Sequence, residues 1–133
     1  MTITHLNPET LPDAGAVGYS QISVTEPGRL AFISGQVAWT REGGPTPGTL
    51  AEQAQLVTAN ARAALDAIGA GGRDIVMARA YLVDLTPDRQ AQVMPALLDL
   101  FDGAQPSLTG VGVASLAAPD LQLELELTVR LPD

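Results

Sequence analysis

The chain has 133 residues, 46% of them apolar, and seven basic against fifteen acidic side chains leave it with a net charge of −8. That length makes one domain, expected to span 1–133, and lets roughly two-thirds of the unfolded surface be buried, while the apolar content argues against disorder. So acidic a surface repels nucleic-acid phosphates and anionic membranes, and neither is expected as a partner.

The residue inventory excludes more. All seven basic residues are arginines, cysteine is absent, and the single histidine is His5. Schiff-base lysine chemistry, a P-loop lysine, thiol nucleophiles, disulfides and thiolate metal sites therefore have no material. A Ser-His-Asp triad or a multi-histidine metal centre has almost none. His5 reads as a surface residue. No metal and no organic cofactor is expected. The first residues lack a basic start followed by a long apolar stretch, so no signal peptide is visible. No apolar run is long enough to cross a membrane. A cytoplasmic protein is the expectation.

Residues 2–18 are rich in Pro, Gly and short polar residues and read as irregular, with room for one short strand. Tyr19–Thr25 and Arg29–Val37 both alternate, and Glu26-Pro27-Gly28 between them reads as a turn, which predicts a β-hairpin. Residues 41–48 (REGGPTPG) can only be a loop. Thr49 followed by Glu52 has capping-box spacing. Leu50, Ala54, Val57, Ala61, Ala64, Leu65 and Ile68 then recur on one helical stripe, predicting a helix over 50–68. The glycines at 69, 71 and 72 follow that helix rather than precede one, so they read as its C-terminal cap and not as a phosphate loop. A strand lies within 74–85. Thr86-Pro87 starts a second helix, Thr as N-cap and Pro at the first helical position. It runs to about Asp102, with a kink or restart expected at Pro95, which cannot donate to the Ala91 carbonyl. Residues 106–115 and 121–131 close the chain as strands, the last alternating without a break. The order β-β-α-β-α-β-β describes an α+β protein with two helices packed on one face of a mixed sheet. The uncovered face would find cover in a homo-oligomer.

Tyr19-Ser20-Gln21, Ile33-Ser34-Gly35-Gln36-Val37, the long helix ending in glycines, and Leu123-Glu124-Leu125-Glu126 together resemble the RidA family (YjgF/YER057c/UK114). The match in order and spacing runs from about Gly15 to Arg130. The resemblance implies a chorismate-mutase-like α+β fold and a homotrimer with pockets at its subunit interfaces. It also implies hydrolysis of enamines and imines such as 2-aminoacrylate to 2-oxo acids and ammonia. Older names within the family include "translation inhibitor" and "endoribonuclease"; a ribonuclease reading has no histidine or lysine near the motifs and the wrong net charge.

That chemistry needs little equipment. An imine carbon is already electrophilic, so water must be held against it, a proton moved and the substrate clamped. A carboxylate sheltered in an apolar setting can position the water and shuttle the proton. Glu124 matches the family's functional glutamate, Tyr19 its pocket tyrosine and Ser34 its strand serine. Gly35 matches the glycine whose backbone N–H faces the substrate. Each also has a plain reading: Glu124 and Glu126 as the solvated face of a strand, Tyr19 as a strand aromatic, Ser34 and Gly35 as small residues permitting close approach, and Trp39 as packing or an interface anchor.

One departure stands out. The active deaminases carry Arg-Pro-x-Arg-Ser before the penultimate strand, and the second Arg clamps the substrate carboxylate. Here the stretch reads Gln105-Pro106-Ser107-Leu108-Thr109-Gly110, so Leu108 stands where that Arg is expected. The family's helix asparagine falls near Met94. Losing such a charge-assisted contact, worth roughly 1.5–3 kcal/mol, costs on the order of ten- to a hundredfold in transition-state binding. Arg79 and Arg130 are strand residues that could substitute. Two readings follow: a hydrolase acting on a small imine or enamine at an interface pocket, with a ligand less acidic than the family's; or a non-catalytic homotrimer binding a metabolite or a protein.

Overall fold

The computed structural model describes residues 3–133. In chain order the strands are β1 (Ile3–Leu6), β2 (Ile22–Thr25), β3 (Leu30–Gln36), β4 (Ile75–Val83), β5 (Ser107–Val113) and β6 (Leu123–Arg130), and the helices are α1 (Leu50–Ala67) and α2 (Pro87–Phe101). β3, β6, β4 and β5 lie side by side in a four-stranded sheet, while β1 and β2 form a separate antiparallel pair. A single parallel bridge between Ser20 and Ser107 joins the pair to β5. β4 and β5 run parallel, joined by α2. β3 and β4 each pair antiparallel with β6, which lies between them. Parallel neighbours need a crossover connection, and both helices serve as crossovers.

The helix ends form as their sequences dictate. The Thr49 hydroxyl accepts the Glu52 N–H at 3.2 Å and donates to the Glu52 carboxylate at 2.7 Å. At the other end Gly69 takes a left-handed φ of 69°. Its N–H reaches the Asp66 carbonyl, and the Ala70 N–H reaches that of Leu65, both pairings of a Schellman cap. In α2 the Thr86 hydroxyl accepts the Arg89 N–H and Pro87 occupies the first turn. No restart occurs at Pro95: α2 is assigned as one continuous helix. Pro95 and Ala91 both face solvent, so water satisfies the carbonyl that loses its helical donor.

The core lies between the helices and one face of the sheet. Leu123, Leu125, Leu127 and Val129 of β6 meet Val57, Ala61 and Leu65 of α1 and Leu97, Leu100 and Phe101 of α2. Buried within it, Gln53 donates to the Pro47 and Asp120 carbonyls at 2.9 and 2.8 Å and accepts the Gln122 N–H at 2.9 Å. One side chain thus pins the loop before α1 to the loop before β6.

The predicted hairpin does not form. β2 pairs with β1, the one short strand of the N-terminal stretch, and β3 pairs with β6. The reason is Arg130, buried at 2% exposure. Its guanidinium donates to the Glu26 and Pro27 carbonyls at 3.2 and 2.7 Å, and a side chain on Gly28 would overlap it. The turn is gripped from the end of β6, so β3 leaves along β6 and β2 is released to β1.

Candidate functional site

Strict alternation in β6 sends Leu123, Leu125 and Leu127 into the core and turns Glu124, Glu126 and Thr128 to the opposite, helix-free face. There Glu124 is half-buried. β3 runs alongside, with a bulge between Ile33 and Gln36. Gly35 falls within it, and the Glu124 carboxylate lies so close above Gly35 that any Cβ there would overlap it. Only glycine permits that approach. Ser34, beside it, is exposed, and its carbonyl accepts the Gln36 amide at 2.9 Å. Ser34, Gly35 and Glu124 therefore share one neighbourhood.

Leu108 lies elsewhere. It stands opposite Ala78, a core residue, so it faces the helix side of the sheet. It lines a cavity of about 210 Å³ between α2 and the sheet. Tyr19 lines the same cavity, as does Met94 on the inner side of α2. The chain reaches Tyr19 through a 3-10 turn at Gly15–Val17 and a left-handed Gly18. The five candidate residues thus divide into two groups on opposite sides of the sheet: Ser34, Gly35 and Glu124 on one, Tyr19 and Leu108 on the other.

The helix-free face also carries a polar cluster that motif reading passed over. Arg79 stands opposite Glu126 and Tyr81 opposite Glu124 across the β4–β6 pair. The Tyr81 hydroxyl donates to the Glu126 carboxylate, and Arg79 lies 3.5 Å from the same carboxylate. That hydrogen bond, then partial burial, pushes the Tyr81 phenol above its usual range. The signal was present as two i, i+2 pairs, Arg79/Tyr81 and Glu124/Glu126, on strands that prove antiparallel neighbours. Of the two arginines considered as substitutes, Arg79 belongs to this cluster, whereas Arg130 is spent on the β2–β3 turn.

His5 is not a free surface residue. It is half-buried, with Nδ1 3.2 Å from the Ser23 hydroxyl, which is 2.8 Å from that of Ser107. Burial lowers its pKa from 6.5. Trp39 is about half exposed, and its carbonyl accepts the Asn60 amide at 2.8 Å. Among the described residues no three His, Cys, Asp or Glu side chains converge as a metal site would require. No helix among them is long and apolar enough to cross a membrane.

Comparison with known proteins covers nearly the whole chain. The endoribonuclease L-PSP family model matches residues 11–131. The RutC family protein YjgH of Escherichia coli is 32% identical over 108 residues, 80% of this chain and 79% of that protein. The crystal structure of the Rid-family protein YyfB from Yersinia pestis superposes with a TM-score of 0.92 at 34% identity, covering 98% of this chain and all of that one. E. coli TdcF with bound serine superposes with a TM-score of 0.69 at 29% identity, over 84% of this chain and 87% of its own. With its two helices on one face of a mixed sheet, its chorismate-mutase-like α+β fold and these matches, the chain belongs to the Rid family, the endoribonuclease L-PSP proteins.

Proposed function

We propose that this chain is a small-molecule hydrolase of the enamine/imine deaminase type, working in clefts between the subunits of a homotrimer. The observation that carries the proposal is the Glu124 carboxylate, half-sheltered and pressed against Gly35 on the helix-free face. In one chain it stands on the far side of the sheet from the cavity of Tyr19 and Leu108. Two copies side by side supply both halves: Ser34, Gly35 and Glu124 from one, Tyr19 and Leu108 from the next. A relative that holds serine supports a small polar molecule as the ligand.

The reaction follows from these groups. An enamine first tautomerises to its imine. Glu124 holds a water against the imine carbon and accepts its proton as the C–O bond forms. The Gly35 N–H orients the substrate, and Tyr19 and Ser34 shape the cleft. The proton passes to nitrogen to give a carbinolamine; its hydroxyl proton then goes to the departing amino group as the C–N bond breaks, and imine plus water become a carbonyl compound and ammonia. Leu108 cannot pair with a carboxylate, so 2-aminoacrylate is expected to be a poor substrate. A ribonuclease activity, which the family's name suggests, gains nothing from a chain of net charge −8.

The test compares wild type with Glu124→Gln on imines generated in situ. General acid–base catalysis of this kind contributes roughly 10²–10⁴-fold, and the variant is expected to lose most of it. Equal rates on every imine would leave the second reading, a non-catalytic homotrimer that binds a metabolite or a protein. The uncharged set of described residues lining the Leu108 cavity favours that alternative.

A further inference from the structure

The cavity beside Leu108 has a chemistry of its own. Leu108, Met94, Val93 and Leu85 are among its walls, and none of the described residues lining it is charged. The side chains able to hydrogen-bond are Tyr19 and Gln90, one hydroxyl and one amide, both neutral. The volume, about 210 Å³, exceeds the roughly 150 Å³ that admits a benzene-sized guest, so a group of about six or seven non-hydrogen atoms fits.

We infer that this cavity selects an uncharged, branched aliphatic substituent, and that Leu108 and Met94 are the residues setting that preference. The inference rests on the hydrolase reading above and names its substrate class: imines without a carboxylate on the reacting carbon. Among the described residues of this chain, a carboxylate placed between these walls finds no cation and no charged hydrogen-bond donor. Left desolvated and unpaired, it loses roughly tenfold or more in affinity against a neutral group of the same shape. An aliphatic branch instead gains contact with Leu108 and with the unbranched, adaptable Met94. The Gln90 amide and Tyr19 hydroxyl can serve a neutral polar group.

Binding tests the inference independently of turnover. Met94 is one of three methionines, so its methyl resonance in a ¹³C-methyl-methionine sample reports on the cavity directly. Titration with 3-methylbutanamide is expected to shift that resonance, with 3-methylbutanoate binding roughly tenfold or more weakly. Leu108→Arg is expected to reverse the order. Equal binding of the two by wild type, preference for the carboxylate, or no shift with either overturns the inference. The last outcome is also what a second copy's side chain filling the cavity would give. The wild-type comparison decides even should Leu108→Arg fail to fold.

Turnover then separates this inference from the reading beneath it. Oxidation of 3-methylbutylamine and of leucine gives two imines that differ only in a carboxylate. Faster Glu124-dependent loss of the uncharged one supports both. Equal Glu124-dependent loss of the two overturns the substrate class and leaves the hydrolase. Selective amide binding with no Glu124-dependent loss of either imine overturns the hydrolase and leaves the ligand class.

Discussion

A methyl group on Gly35 would take the space that the Glu124 carboxylate fills. The glycine's backbone is not in the left-handed region, so Gly35→Ala brings no backbone strain, and the carboxylate must swing away. Glu124 is a flexible side chain at a half-buried site, so stability is expected to change by less than about 1 kcal/mol. Imine hydrolysis is expected to fall nearly as far as in Glu124→Gln. Gly48→Ala in the loop before α1, where an added methyl meets nothing within 4 Å, is the control. Urea unfolding alongside rate measurements checks both, and full activity in Gly35→Ala would remove Gly35 and Glu124 from a shared site. The pairing of these two residues was legible only through the family motif, since nothing local in Ile33–Val37 announces a bulge that brings glycine beneath a carboxylate. The division of the site was not legible. Whether Leu108 faces the helices or the open side depends on its register with Ala78, a contact thirty residues away in the chain. The cluster that Arg79 and Tyr81 make with the β6 glutamates was hidden for the same reason, since the pairing lies across two distant strands.

At the scale of elements, local signals proved sufficient for helices and insufficient for strand pairing. Thr49, Gly69, Thr86 and Pro87 act within one turn of their own helix, so α1 and α2 could be bounded from sequence. The hairpin expectation failed because Arg130, a hundred residues further on, competes for the carbonyls of the Glu26–Pro27 turn. Pro95 shows a local rule yielding to context: its helix continues because the orphan Ala91 carbonyl is solvated rather than buried. The rule still has an energetic residue. Proline in a helix interior costs about 3 kcal/mol against alanine, partly offset by the roughly 0.4–1 kcal/mol it saves by restricting the unfolded chain. Pro95→Ala, at an exposed position, is therefore expected to raise stability by about 2 kcal/mol. Equilibrium urea unfolding measures it, and an unchanged or lower midpoint would mean that α2 gains from the interruption.

For the whole molecule, the decisive asymmetry is that both helices cover the same face of the sheet. The other face presents Phe32, Ser34, Met77, Arg79, Glu126 and Thr128, and Phe32, on a strand at the sheet's margin, is 75% exposed. Covering a phenylalanine side chain is worth roughly 1.5–3 kcal/mol, so a second copy docking along β3 gains at its margin. The same docking is what the proposed site requires, because Glu124 and Leu108 lie on opposite sides of the sheet within one chain. Assembly and activity are therefore expected to fail together. Sedimentation of wild type should give three times the chain mass of 13.8 kDa. Phe32→Glu, which adds a charge to a chain already at −8, should move the distribution towards single chains and lower imine hydrolysis in proportion, without unfolding the chain as judged by circular dichroism. Rates that stay constant as the protein is diluted into the single-chain range would separate the two and place the chemistry within one copy. In that case Glu124 would work with its own neighbours on the open face, Arg79, Tyr81 and Glu126, and the cavity at Leu108 would have no part in it.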